Sequence, residues 1–202
     1  MKKIILLVAA LAGILFAKSV ELETPPDHKD GVNHLELVLI LDKSGSMSGL
    51  ESDTIGGFNS MIEKERKEGI DASVTTVLFD TKFNVIHDRT PLKKVENLTS
   101  KEYYAGGNTA LLDAIGSTIA RIERVPDIYA KSNRVLFVII TDGMENSSRE
   151  YSKAQIKKMI SDKQEKYDWE FIFLGANIDA ASEAQSIGIK RENALKYENS
   201  KE

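Results

Sequence analysis

Four short runs of branched and aromatic residues constrain this chain more than anything else in it: Leu35 to Leu41 (LELVLIL), Val74 to Phe79, Val135 to Ile140 (VLFVII) and Phe171 to Leu174 (FIFL). Each has strand length, and the near-continuous apolar character suits strands buried on both faces of a parallel sheet rather than half-wet ones. Between them lie stretches of helical length and period. These are residues 50 to 68, then 109 to 124 with Leu111, Leu112, Ile115, Ile119 and Ile122 on one side, then 149 to 167 with Ile156, Met159 and Ile160. Strands that alternate with helices are joined by crossovers, which gives a doubly wound, open α/β sheet of Rossmann-like type with helices on both faces. Residues 83 to 87 are expected to add a strand hairpinned to Val74 to Phe79, and Pro91 and Pro126 fall at a strand exit and a helix end. With 202 residues, 42% of them hydrophobic, one domain with a substantial core is expected.

In such sheets ligands gather at the carboxyl ends of strands. Here those ends are rich in oxygen. The first strand runs into Asp42-Lys43-Ser44-Gly45-Ser46, the late one into Thr141-Asp142-Gly143, and a helix is expected to open at Thr109 after Gly106-Gly107-Asn108. Gly45 permits a tight bend, so Asp42, Ser44 and Ser46 can converge on one point. If the first and late strands are neighbours, Asp142 faces Asp42 and Thr109 closes the site. Two carboxylates in a pocket without lysine repel unless a cation lies between them. Carboxylates, hydroxyls and water suit Mg²⁺ or Mn²⁺, whereas Ca²⁺ takes more ligands and Zn²⁺ prefers nitrogen or sulfur. Lys43 is expected to point away. Taken alone, an Asp-x-Ser-x-Ser string is equally a set of loop and helix-cap residues, and only the company of the other two tips turns it towards a metal.

With these residues in view, the sequence resembles a von Willebrand factor type A domain with a metal-ion-dependent adhesion site, of the small stand-alone bacterial kind. The resemblance runs from about residue 34 to the end, and its motif is matched by Asp42, Ser44, Ser46, Thr109 and Asp142. It implies a mostly parallel sheet of order 3-2-1-4-5-6 with one antiparallel edge strand. It also implies a metal that keeps one position for a carboxylate from a protein partner, the two serines binding directly and the Thr and Asp residues directly or through water. The family ends in a further edge strand and a closing helix. Here KRENALKYENSKE leaves room for a short strand near Ala194 to Tyr197 but not for the helix, so one sheet face is expected to be partly uncovered.

The start of the chain reads differently. Met1-Lys2-Lys3, an apolar stretch from Ile4 to Ala17 and Lys18-Ser19 form a secretory signal pattern over residues 1–17. The apolar stretch is shorter than the roughly 20 residues of a membrane-spanning helix, so no stable span is expected. Export to a periplasm or the exterior is the expectation, with anchorage by an uncleaved N-terminal segment as the alternative. Residues 18–33 form a polar tether with two adjacent prolines, and 34–202 the folded domain.

Composition removes several functions. The formal charge is -4 without a basic run, which argues against nucleic acid. Cys 0 and His 3 leave no disulfide, thiol nucleophile or zinc finger, and His28, His34 and His87 lack ligand spacing. No Gly-x-Ser-x-Gly elbow, P-loop or dinucleotide fingerprint occurs. Asp80 is read as a turn residue, Glu145 and Asn146 as an exposed loop, Lys153, Lys157 and Lys158 as the wet face of a helix, and Trp169 as packed. Asn97-Leu98-Thr99 and Asn146-Ser147-Ser148 match a glycosylation string that means little alone. The expected function is a non-enzymatic, metal-dependent protein-binding module. Its alternatives are a metal-assisted hydrolase, in which the ion would activate water, and a truncated remnant without a function of its own.

Overall fold

The computed structural model describes residues 34–176 and 179–197. The expected signal segment 1–17, the tether 18–33 and His28 lie outside the described residues.

The apolar runs form the sheet as expected. β1 (His34–Asp42), β2 (Ala72–Phe79), β4 (Asn133–Thr141), β5 (Glu170–Ala176) and β6 (Ala194–Tyr197) are parallel, and β3 (Phe83–Pro91) pairs antiparallel with β2. The order is β3-β2-β1-β4-β5-β6, so the first strand lies between the second and fourth. All of β2 is buried, and β1 is buried beyond His34, as two-sided burial requires. β3 is longer than the expected 83 to 87. Register shifts between Val74 and Val77 let this edge strand bend, and Arg89 takes a left-handed conformation (φ 47°) within it.

Helices cover both faces. α1 (Glu51–Glu68) packs Phe58, Met61 and Ile62 on the face of Leu37, Leu39 and Leu41, together with Leu92, Val95, Leu98 and Tyr103 from the segment after β3. α2 (Leu111–Ile122), α3 (Lys153–Tyr167) and α4 (Ala180–Ser186) cover the other, around Val38, Ile40, Phe137, Ile139, Phe171 and Phe173. The faces differ towards the β6 edge. Phe171 and Phe173 are buried beneath helices, whereas Ile172 and Leu195 on the α1 face are only partly buried.

Two helices begin later than their apolar period suggests. α3 starts at Lys153 rather than near 149, because Ser152 and Gln155 form a capping box and the N–H groups of Arg149, Glu150 and Tyr151 donate to the Asp113 carboxylate. α2 starts at Leu111, so Thr109 is not in the helix but in the loop ahead of it. No described helix is long and apolar enough to cross a membrane.

Candidate functional site

β1 and β4 lie side by side, so their final residues deliver Asp42 and Asp142 to one rim of the sheet. Asp42 ends β1 in full burial, and Asp142 directly follows β4. The Asp42 carboxylate accepts the Ser44 N–H on Oδ1 (2.7 Å) and the Thr141 hydroxyl on Oδ2 (2.5 Å), which fixes its orientation. The turn after Asp42 is a single 3₁₀ helix, Gly45–Met47, and it carries Ser46 across to Asp142: the Ser46 hydroxyl donates to Asp142 Oδ1 at 2.6 Å and lies 3.1 Å from Ser44 Oγ.

The third loop is pinned through its backbone to this turn and to the residue that follows β2. Gly45 N–H donates to Gly107 O (3.0 Å), Gly106 N–H to Lys43 O (2.8 Å) and Ala110 N–H to Asp80 O (2.8 Å). Gly107 has φ 77°, and a Cβ there would stand 2.9 Å from Thr81 Oγ1, so glycine is required on both counts. Thr109 is held from the far side by Asn146, whose Oδ1 accepts the Thr109 N–H (2.9 Å) and whose N–H donates to Thr109 O (3.0 Å).

Gly143 marks where the loops meet. A Cβ at that position, in the loop after β4, would lie 2.9 Å from Ser46 Oγ, 3.0 Å from Thr109 Oγ1 and 3.6 Å from Asp42 Oδ2, three oxygens from the other two segments around one point. The five residues expected from sequence, Asp42, Ser44, Ser46, Thr109 and Asp142, therefore do come together. Among the described residues no three His, Cys, Asp or Glu side chains are placed to hold a metal; this set has two carboxylates, and the rest are hydroxyls. Those donors suit a hard ion with oxygen ligands and water rather than a nitrogen- or sulfur-seeking one.

Burial pushes the Asp42 carboxyl above the usual carboxylate range, against the lowering effect of Thr141 and Ser44, and the Asp142 charge pushes it further. Burial raises Asp142 too, with the Ser46 hydroxyl opposing. No described Lys, Arg or His pairs with either. Lys43 turns to Asp80, its Nζ 2.6 Å from Oδ2 and 4.4 Å from the Tyr104 ring centre. Asp80 also accepts the Lys82 N–H as a turn residue does.

Comparison with known proteins bears on the fold. No protein-family model and no curated protein matches the sequence. Among solved structures, a von Willebrand factor type A protein from Catenulispora acidiphila superposes with TM-score 0.53 at 18% identity, over 83% of this chain and 38% of that one. The fold is that of a von Willebrand factor type A domain. Proximal thread matrix protein 1 from the mussel byssus is also similar, with TM-score 0.56 and 15% identity over 83% of this chain and 42% of that one. This chain thus spans about two fifths of either neighbour. The type A sheet order 3-2-1-4-5-6 is the one observed here.

Sequence reasoning missed the residues that hold the site. Glu145 and Asn146, expected to be a plain exposed loop, are braces: the Glu145 carboxylate accepts the N–H groups of Leu112, Ser147 and Ser148 and the Ser148 hydroxyl, locking the loop after β4 to the start of α2. Tyr103 donates its hydroxyl to Asp42 O. Nothing in the spacing of these residues signals a partnership that only the packed loops create. Lys153, read as solvated, pairs with Glu183 at 3.1 Å.

The two described histidines, His34 and His87, lie away from this rim. At the start of β1, His34 stands between Asp71 Oδ2 (2.9 Å from Nδ1) and Ser73 Oγ (3.1 Å from Nε2), in line like a carboxylate, imidazole and hydroxyl relay. Ser73 is only 9% exposed and Glu36 Oε1 is 3.4 Å from the same Nε2, so the ring braces two strand starts and does not present a free nucleophile.

Proposed function

We propose that this domain is a non-enzymatic protein-binding module that depends on a divalent metal, Mg²⁺ or Mn²⁺ before Ca²⁺, and that it works outside the cytoplasm. Asp42, Ser44, Ser46, Thr109 and Asp142 would hold the ion. When bound, the ion supplies a Lewis-acidic position at which a partner's Asp or Glu carboxylate can be held. The chain's own residues do the rest: Thr141 and the Ser44 N–H orient Asp42, Asn146 fixes Thr109, and Asp80 keeps the Lys43 ammonium off the two carboxylates.

The supporting observation is the convergence of the Asp42, Ser46 and Thr109 side-chain oxygens beside Gly143, with Asp142 joined through the Ser46 hydroxyl and no cationic partner on either carboxylate among the described residues. Like charges brought together under burial are unfavourable unless a cation joins them. The type A fold adds weight as an analogy, since it places this rim where ligands gather in open α/β sheets. A metal-assisted hydrolase would need a base or nucleophile beside the ion, and the Ser44 and Ser46 hydroxyls are committed to one another and to Asp142.

Thermal unfolding of the purified protein in EDTA, Mg²⁺, Mn²⁺ and Ca²⁺ tests the reading. A ligand at a hundredfold excess over its dissociation constant stabilises the native state by about 2.7 kcal/mol, a readily measured rise in Tm. The rise is expected with Mg²⁺ and Mn²⁺ and is expected to vanish in Asp42→Ala and Asp142→Ala. No rise in a cooperatively folded protein refutes the metal.

A further inference from the structure

A chain with Cys 0 forms no disulfide, yet two of its tyrosines stand in ring contact at the surface. Tyr129 lies in the loop before β4, and Tyr167 is the last residue of α3. Their ring centres are 4.2 Å apart with the planes tilted by 35°, and each residue is 43% exposed. One cation holds both. The Lys163 ammonium is 5.0 Å from the Tyr129 ring centre and 4.9 Å from that of Tyr167, and it donates to the Tyr129 hydroxyl at 2.8 Å. Glu123 in turn fixes Lys163.

Radical coupling of two phenols needs ring contact and access for an oxidant, and among the described tyrosines both conditions meet here. Tyr103 is fully buried, Tyr151 packs on Gly116, and the exposed Tyr104 meets the Lys43 ammonium rather than another phenol. Trp169, 5.9 Å from Tyr129, is itself buried, so an oxidant at the surface meets the phenols first. Two rings already held by one ammonium lose little freedom when they join. Neither is locked, since Tyr129 lies in a loop and Tyr167 ends its helix, so the rings can slide from face contact to the edge contact that a bond requires.

We infer that Tyr129 and Tyr167 are a site of oxidative modification, coupled by a peroxidase-type oxidant into a dityrosine that ties the loop before β4 to the end of α3. Hydrogen peroxide takes one electron and one proton from each phenol and leaves as two waters. The two phenoxyl radicals form a carbon–carbon bond between positions ortho to oxygen, and each ring regains aromaticity as its ortho hydrogen moves to its oxygen as a proton. The bond closes a loop of almost forty residues, which restricts the unfolded chain as a disulfide would. It does not depend on the metal.

The test treats the purified full chain, at high dilution, with a haem peroxidase and hydrogen peroxide, and free tyrosine in a parallel sample verifies the oxidant. The expected product remains a monomer on a denaturing gel and fluoresces as dityrosine. Trypsin should release residues 125–131 joined to residues 167–190, with the mass of the two peptides less two hydrogens. Tyr129→Phe and Tyr167→Phe, which keep the ring packing, are each expected to lose the joined peptide, whereas Tyr104→Phe keeps it. The coupled protein should unfold at a higher Tm than the untreated one. Free tyrosine that couples while the protein does not, coupling only between chains, or a joined peptide built on other tyrosines overturns the inference. An unchanged Tm after complete coupling overturns the bracing role.

Discussion

The two rims of the sheet treat charge in opposite ways. Where the strands begin, buried charges meet their opposites. Arg89 donates through Nε to both oxygens of the buried Glu36 (3.0 and 3.2 Å), Arg134 holds Glu170 with two bonds of 2.6 Å, and Lys163 meets Glu123 at 2.5 Å and the Tyr129 hydroxyl at 2.8 Å. Burial lowers the Lys163 ammonium, but Glu123 and Tyr129 outweigh it and hold it above its ordinary range. Three rings, Tyr129, Tyr167 and Trp169, surround the same ammonium at 4.9 to 5.2 Å. Where the strands end, Asp42 and Asp142 share a site with hydroxyls alone. The first rim is complete in itself, and the second has a net negative charge that the protein does not neutralise. The paired rim and the unpaired one are separated along the strand axis by only eight or nine residues in β1, β2 and β4.

Substitutions that remove a charge at the two rims should therefore differ in sign. The largest effect is expected from Arg89→Ala, which leaves Glu36 buried without its partner. A loss of about 2–3 kcal/mol should appear in urea unfolding, below the range for fully buried pairs because Arg89 is itself partly exposed. A wild-type midpoint in this variant would mean that the paired rim adds nothing.

Gly143→Ala should come next. Its Cβ would press on Ser46 Oγ and Thr109 Oγ1, costing about 1–2 kcal/mol by overpacking and removing any rise in Tm with Mg²⁺ or Mn²⁺. A variant that still responds to the ions would place them elsewhere. Asp142→Asn should act in the opposite direction to Arg89→Ala. In EDTA it removes a like charge from Asp42 and keeps an oxygen for the Ser46 hydroxyl, so a gain of about 0.5–1 kcal/mol is expected, together with loss of the metal response. Destabilisation in EDTA would show that the second rim is not electrostatically frustrated.

The smallest effect concerns His87, which touches neither rim. Burial lowers its pKa, with Glu96 opposing, while Nδ1 lies 3.0 Å from Thr76 Oγ1 and the ring stacks on Phe58 at 6.0 Å. A histidine depressed in the folded state favours folding fully above its unfolded value of about 6.5, and that contribution is lost as pH falls through the folded value. Unfolding free energies from pH 7.5 to pH 5 should therefore fall more in the wild type than in His87→Phe. Parallel curves would remove the histidine from the account.

Much of the frame was legible because it follows from periodicity. Branched runs such as LELVLIL and VLFVII could be buried only on both faces, and helices between them required parallel crossovers. The convergence of the five candidate residues was legible because each sits at a strand or loop tip in the chain order of the type A pattern that the sequence resembles. The starts of α2 and α3 were not. Asp113 and Glu145, more than thirty positions apart in sequence, decide them by taking up the N–H groups of each other's segments. The pairing of Arg89 with Glu36, across three strands, was equally hidden, since neither residue carries a local signal.

By itself, then, the sequence determined the doubly wound sheet and the oxygen-rich character of its strand tips, because hydrophobic period and residue chemistry are properties of short segments. Tertiary structure alone decided that Asp42, Ser46 and Thr109 surround one point beside Gly143. It decided as well that Asn146 clamps Thr109 and that Lys43 turns to Asp80. Convergence depends on distances between loops far apart in the chain, and those distances are set by strand order and register, which no local pattern encodes.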